Sequence, residues 1–115
     1  FLWLGTKDGL CRYDGYRLLV FRSGLKSPDL LTNNEITCIT ENRNGYLFIG
    51  TKKGINILNK RTYQITPVEH NELKDQEIRT MIVDSEGWIW IGTLTSALPI
   101  FLFVKDMILL YLLLA

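Results

Sequence analysis

Apolar residues along most of the chain come in short runs broken by Gly, Asn or Asp, and no apolar stripe at helical spacing occurs before residue 94. Runs of this length, rich in Ile, Leu, Phe and Trp and closed by turn formers, predict β-strands. Asn42-Arg43-Asn44-Gly45 and Asp84-Ser85-Glu86-Gly87 carry Asn or Asp first and Gly fourth, the residue types a type I turn prefers. Thr6-Lys7-Asp8-Gly9 and Thr51-Lys52-Lys53-Gly54 place Gly where a tight turn needs positive φ, and Asp14-Gly15 is a two-residue hairpin signal. The middle of the chain is accordingly read as four strands near 35–41, 46–51, 54–59 and 62–67. In the second of these, Tyr46, Phe48 and Gly50 project to one face and Leu47, Ile49 and Thr51 to the other. Both faces are largely apolar, so this meander needs another sheet on each side.

The pattern repeats. Leu2-Trp3-Leu4-Gly5-Thr6 returns as Leu47-Phe48-Ile49-Gly50-Thr51 and as Ile89-Trp90-Ile91-Gly92-Thr93, while Ile36 to Gly45 aligns without gaps on Ile78 to Gly87. Gly9-Leu10 matches Gly54-Ile55. A period of roughly 40 to 45 residues, each unit a small meander that cannot bury itself alone, fits the blade of a β-propeller. Such rings close with about 4 to 8 blades, whereas this chain has room for about 2.5. The expected architecture is all-β: a propeller fragment of four-stranded antiparallel blades, divided into a partial blade and linker at 1–34, a complete blade and linker at 35–74, a partial blade at 75–96 and an apolar tail at 97–115. Unpartnered faces at its two ends predict oligomerisation or aggregation.

Leu2-Trp3-Leu4-Gly5-Thr6-x-x-Gly9-Leu10-x-Arg12-Tyr13-Asp14 and Asp84-Ser85-Glu86-Gly87-Trp88-Ile89-Trp90-Ile91-Gly92-Thr93 resemble the two-component regulator propeller repeat, over residues 1 to 95. That resemblance implies the sensor half of a membrane-anchored hybrid histidine kinase, on its periplasmic or extracytoplasmic side, detecting a small-molecule or oligosaccharide signal. It assigns no ligand-binding residue, because the family places such contacts on variable loops. The chain shows no phosphoacceptor-His helix, nucleotide-binding Gly-rich segment, receiver acidic cluster or helix-turn-helix pattern, so kinase activity does not carry over and no enzyme is expected. A protein-interaction scaffold is the alternative function, and a propeller lyase ranks below it.

Charge and composition narrow the partners further. Thirteen Lys and Arg against twelve Asp and Glu leave a net charge of +1, without the basic excess used on a phosphate backbone, so nucleic acid is not an expected partner. Cys11 and Cys38 lack disulfide-framework or metal spacing and are expected as unpaired, partly buried thiols. No catalytic, cofactor or metal site is assigned. Trp88, beside a turn, invites a sugar-stacking role, but it aligns with Tyr46 and packing between blades is the favoured reading. Trp3, Phe48 and Trp90 share one repeat position and are read as core. His70, the single histidine, reads as a solvated loop residue. Glu41, Asp84 and Glu86 are assigned to hairpin formation, and Lys52-Lys53 and Lys60-Arg61 to solvated hairpin tips.

The tail departs from all this. Ser96 stands where Gly9 and Gly54 stood, and from Ala97 to Ala115 every residue except Pro99, Lys105 and Asp106 is apolar. A discontinuity in the coding sequence is the favoured explanation. A membrane helix is a lesser alternative, because Lys105 and Asp106 at its middle offset most of the apolar gain, and a buried strand pair is another.

Overall fold

The computed structural model describes residues 2–22, 31–41, 45–69, 73, 75–86, 88–93, 100–105 and 108–113. Three meanders follow one another. The first holds β1 (Leu2–Thr6), β2 (Gly9–Tyr13) and β3 (Leu18–Phe21); the second β4 (Ile36–Glu41), β5 (Tyr46–Thr51), β6 (Gly54–Asn59) and β7 (Ile65–Pro67); the third β8 (Ile78–Val83) and β9 (Ile89–Thr93). Every strand pairs antiparallel with its sequence neighbour inside its own sheet. The fold is an arc of a β-propeller, and the three sheets are called blades 1, 2 and 3 below.

Blade 2 is buried on both faces, as its apolar alternation requires. Leu47, Ile49, Leu58 and Ile65 form one core with Leu10 and Leu31, packed by Trp3 and Phe21 of blade 1. Phe48, Ile55 and Ile57 form the other with Ile78, Met81, Ile89 and Ile91 of blade 3. Alternation alone would send Ile36 and Ile39 to opposite faces, yet both pack toward blade 1. A bulge between Ile36 and Cys38 resets the register. Blade 3 repeats the device between Ile78 and Thr80, which puts Ile78 and Met81 together on the face toward blade 2.

The bulge and the repeated glycine work as a seat. A Cβ on Gly50 would lie 2.8 Å from Ile78 Cγ2, and one on Gly5 would lie 2.5 Å from Ile36 Cγ2. The isoleucine that opens each new blade thus occupies the space left by the glycine of the blade before. Backbone bonds repeat alongside: Gly9 N donates to Asn34 O at 2.7 Å and Gly54 N to Gln76 O at 2.7 Å. Gly9 and Gly54 have φ of 114° and 92°, as their turns demand. Thr6 and Thr51 brace those turns, each Oγ1 donating to a glycine carbonyl, at 2.8 and 2.9 Å, and accepting an amide from within the turn. Thr93 holds the same repeat position, and its buried Oγ1 has no partner among the described residues.

Several expectations need correction. The fourth strand of blade 2 begins at Ile65, not near 62, because residues 60 to 64 are spent in a turn organised by Asn59. The β2–β3 hairpin centres on Gly15-Tyr16, one residue later than Asp14-Gly15, because Asp14 Oδ1 accepts the amides of both Tyr16 and Arg17. Trp90 is half-buried instead of core: its indole points away from blade 2 and donates to Asp84 Oδ2 at 3.0 Å. A membrane helix in the tail is overturned, since Ile100–Lys105 (β10) and Ile108–Leu113 (β11) form an antiparallel hairpin. Among the described residues no helix is long and apolar enough to cross a membrane. The readings of Ser96 and His70 fall outside the described residues.

Blade 1 leaves its other face uncovered. Leu2, Leu4 and Leu18 are 53%, 42% and 58% exposed on the side away from blade 2.

Candidate functional site

The two inter-blade interfaces are built on the same repeat positions but are not filled alike. Between blades 2 and 3, Phe48 and its cross-strand partner Ile57 meet Val83, and the interface is closed and apolar. The equivalent positions between blades 1 and 2 are Trp3, its cross-strand partner Arg12, and Glu41. Here the interface opens into a cleft of about 340 Å³ lined by Trp3, Arg12, Glu41, Lys60 and Tyr63. The internal repeat supplies its own control: one backbone arrangement, with two apolar positions replaced by charges, gives a cavity in place of a core.

Tyr63 reaches the cleft from an unusual backbone position. The turn after β6 closes with Tyr63 N donating to Asn59 O at 2.7 Å, and Asn59 Oδ1 accepts the Arg61 amide at 2.9 Å. This geometry leaves Tyr63 at φ 63°, where glycine would be relaxed and a bulky side chain costs on the order of 1 kcal/mol. The ring recovers this through contacts across the interface. Its centroid lies 6.4 Å from Trp3 and 5.9 Å from Phe21, and the Arg12 guanidinium sits 5.2 Å above it. Trp3 and Phe21 stack at 6.2 Å. Lys60 Nζ pairs with Glu41 Oε2 at 2.7 Å, both from blade 2. A second open groove of about 440 Å³, lined by Gly45, Tyr46, Asn59, Lys60 and Arg61, shares Lys60 with the cleft.

Aromatic rings beside hydrogen-bonding charges can hold a polar ligand that presents a C–H face, the combination a pyranose offers.

Other residues considered from the sequence are placed as follows. Trp88 is half-buried, and its amide donates to Asp84 Oδ1 at 2.9 Å. Asp84 organises the β8–β9 turn, taking the Glu86 amide as well. Glu41 belongs to strand and cleft instead of to a turn. Lys52 pairs with Glu35 at 3.0 Å, and that hydrogen-bonded carboxylate raises the ammonium above its ordinary range. Cys11 and Cys38 are both free and partly buried, on strands of neighbouring blades. Burial pushes the Cys38 thiol up, which suits a packing residue better than a nucleophile. Among the described residues no group of three or more His, Cys, Asp or Glu is placed to hold a metal. Tyr63 was missed in the sequence because a tyrosine in a left-handed turn position carries no composition signal. Trp3, expected as core, is half-buried and lines the cleft, Glu41 was expected in a hairpin, and Arg12 was given no site role.

Residues 30–53 and 72–95 each match the family model described as two component regulator propeller. Each match covers the entry into a blade and its first two strands, β4 and β5 in one case and β8 and β9 in the other. The two matched segments are similar to two component regulator propeller repeats. No curated protein matches the chain.

Proposed function

We propose that this chain is part of the ligand-sensing propeller of a two-component signalling sensor, displayed on the extracytoplasmic side of a membrane-anchored parent, and that its signal is of carbohydrate type. The observation carrying the ligand class is the cleft between blades 1 and 2, where Trp3 and Tyr63 present rings at an interface whose counterpart is filled. The role of such a domain is to couple occupancy to the parent's kinase, so the chain itself performs no chemistry.

Titration of the chain with short oligosaccharides, followed by NMR, tests the reading. Shifts should concentrate on Trp3, Arg12, Lys60 and Tyr63, and Trp3→Ala should weaken binding about tenfold, in line with losing one aromatic stacking contact. Shifts confined to the exposed Leu2 and Leu4 face on adding a protein partner, with no response to sugars, would favour the interaction-scaffold reading instead.

A further inference from the structure

Within the reading of the cleft as a carbohydrate site, we propose that it selects an acidic sugar, whose carboxylate takes the place of Glu41 on Lys60. The starting point is again the internal repeat. Two of the three positions that are Phe48, Ile57 and Val83 at the closed interface carry charge at the open one, as Arg12 and Glu41. Lys60 completes the group, so two cations face a single carboxylate within the cleft. Arg61 adds a further cation in the adjoining groove.

The Lys60–Glu41 pair is asymmetric. The Lys60 side chain is 28% exposed and that of Glu41 55%, so the ammonium is the better fixed partner and the carboxylate the one open to solvent. A half-exposed ion pair is worth about 0.2–1 kcal/mol. Exchanging one carboxylate for another on the same ammonium therefore costs little, and a ligand bringing its own carboxylate also meets the Arg12 guanidinium above Tyr63. Glu41 acts as a stand-in anion that keeps Lys60 neutralised while the cleft is empty. A neutral sugar gains the ring contacts alone and leaves Glu41 where it is.

The test compares digalacturonate, its methyl ester and acetate by calorimetric titration of the full chain. Digalacturonate should bind at least tenfold more tightly than its methyl ester, and acetate should show no comparable binding. Lys60→Met should remove that preference, bringing digalacturonate and its methyl ester to within twofold of each other, and Lys60→Arg should restore most of it. Glu41→Gln should tighten digalacturonate about two- to fivefold by removing the competitor, an increase that a merely structural role for Glu41 would not give. Circular dichroism spectra that overlay for all variants show that folding is intact. Equal affinity for acid and ester, with no response to Glu41→Gln, overturns the acidic-sugar proposal and leaves the carbohydrate reading standing. Acetate binding as tightly as digalacturonate overturns the proposal as an anion site only, and absence of binding by all three overturns both.

Discussion

Gly50→Ala probes the contact that sets one blade against the next. A methyl added there would fall 2.5 Å from Cys38 Sγ in its own sheet and 2.8 Å from Ile78 Cγ2 in the following blade. Neither neighbour is free to move aside: Ile78 is 0% exposed, and Cys38 sits on the strand paired with Gly50. Overpacking of this kind costs about 1–3 kcal/mol, because side chains must leave their rotamers or the blades must separate. For a chain of this size the loss corresponds to a drop in Tm on the order of 5–15 °C. Urea denaturation followed by tryptophan fluorescence should show a lowered midpoint with an unchanged slope. Adding Cys38→Ala removes the contact within the sheet, so it should recover part of the loss and leave the part due to Ile78. Full recovery in the double variant would show that Ile78 does not occupy the seat. A Gly50→Ala stability within about 0.5 kcal/mol of the parent would refute the close approach altogether.

Further outcomes follow from single residues. Asn56 is fully buried and its side-chain amide both accepts from Thr32 N at 3.3 Å and donates to Thr32 Oγ1 at 3.0 Å, so Asn56→Ala should cost about 1–3 kcal/mol in denaturation experiments by stranding those groups. Asp14 is held below the ordinary carboxylate range by the amides of Arg17 and Tyr16. The folded form is favoured by the ionised side chain, so this contribution is complete above the ordinary range and fades as pH falls through the depressed value; an NMR titration of the Asp14 carboxyl should show the downward shift. Cys38, its thiol raised by desolvation, should alkylate at mildly alkaline pH more slowly in the folded chain than in urea, as mass spectrometry after timed quenching would read.

What the sequence made legible was whatever depends on one residue or one period. The three full-length strands of blade 2 begin and end within a residue of expectation, because Gly45, Gly54 and Asn59 mark their limits. The two-sided burial of β5 follows from its alternation, and Leu47 and Phe48 indeed enter different cores. Register was not legible. Thr37 and Arg79 sit opposite no partner of their own, and nothing in their identity announces a bulge. The seat of Ile78 against Gly50 was hidden for the same reason, since it depends on how two sheets slide past one another. Tyr63 gave no sign of its left-handed backbone. Trp90 was misassigned as core because its repeat position is buried only where a following blade covers it, as blade 3 covers Phe48. The cleft needed residues 3, 12, 41, 60 and 63 brought together from two blades, although the contrast between Arg12 and Ile57 was already present in the aligned repeats.

Each new blade docks its first isoleucine into the glycine gap of the blade before. Nuclear Overhauser contacts in the methyl-labelled chain test this directly. Cross-peaks from the Ile78 γ2 methyl to the Gly50 α-protons and from the Ile36 γ2 methyl to the Gly5 α-protons are the predicted result, and their absence in a folded sample would contradict the stacking of the blades and, with it, the cleft between the first two.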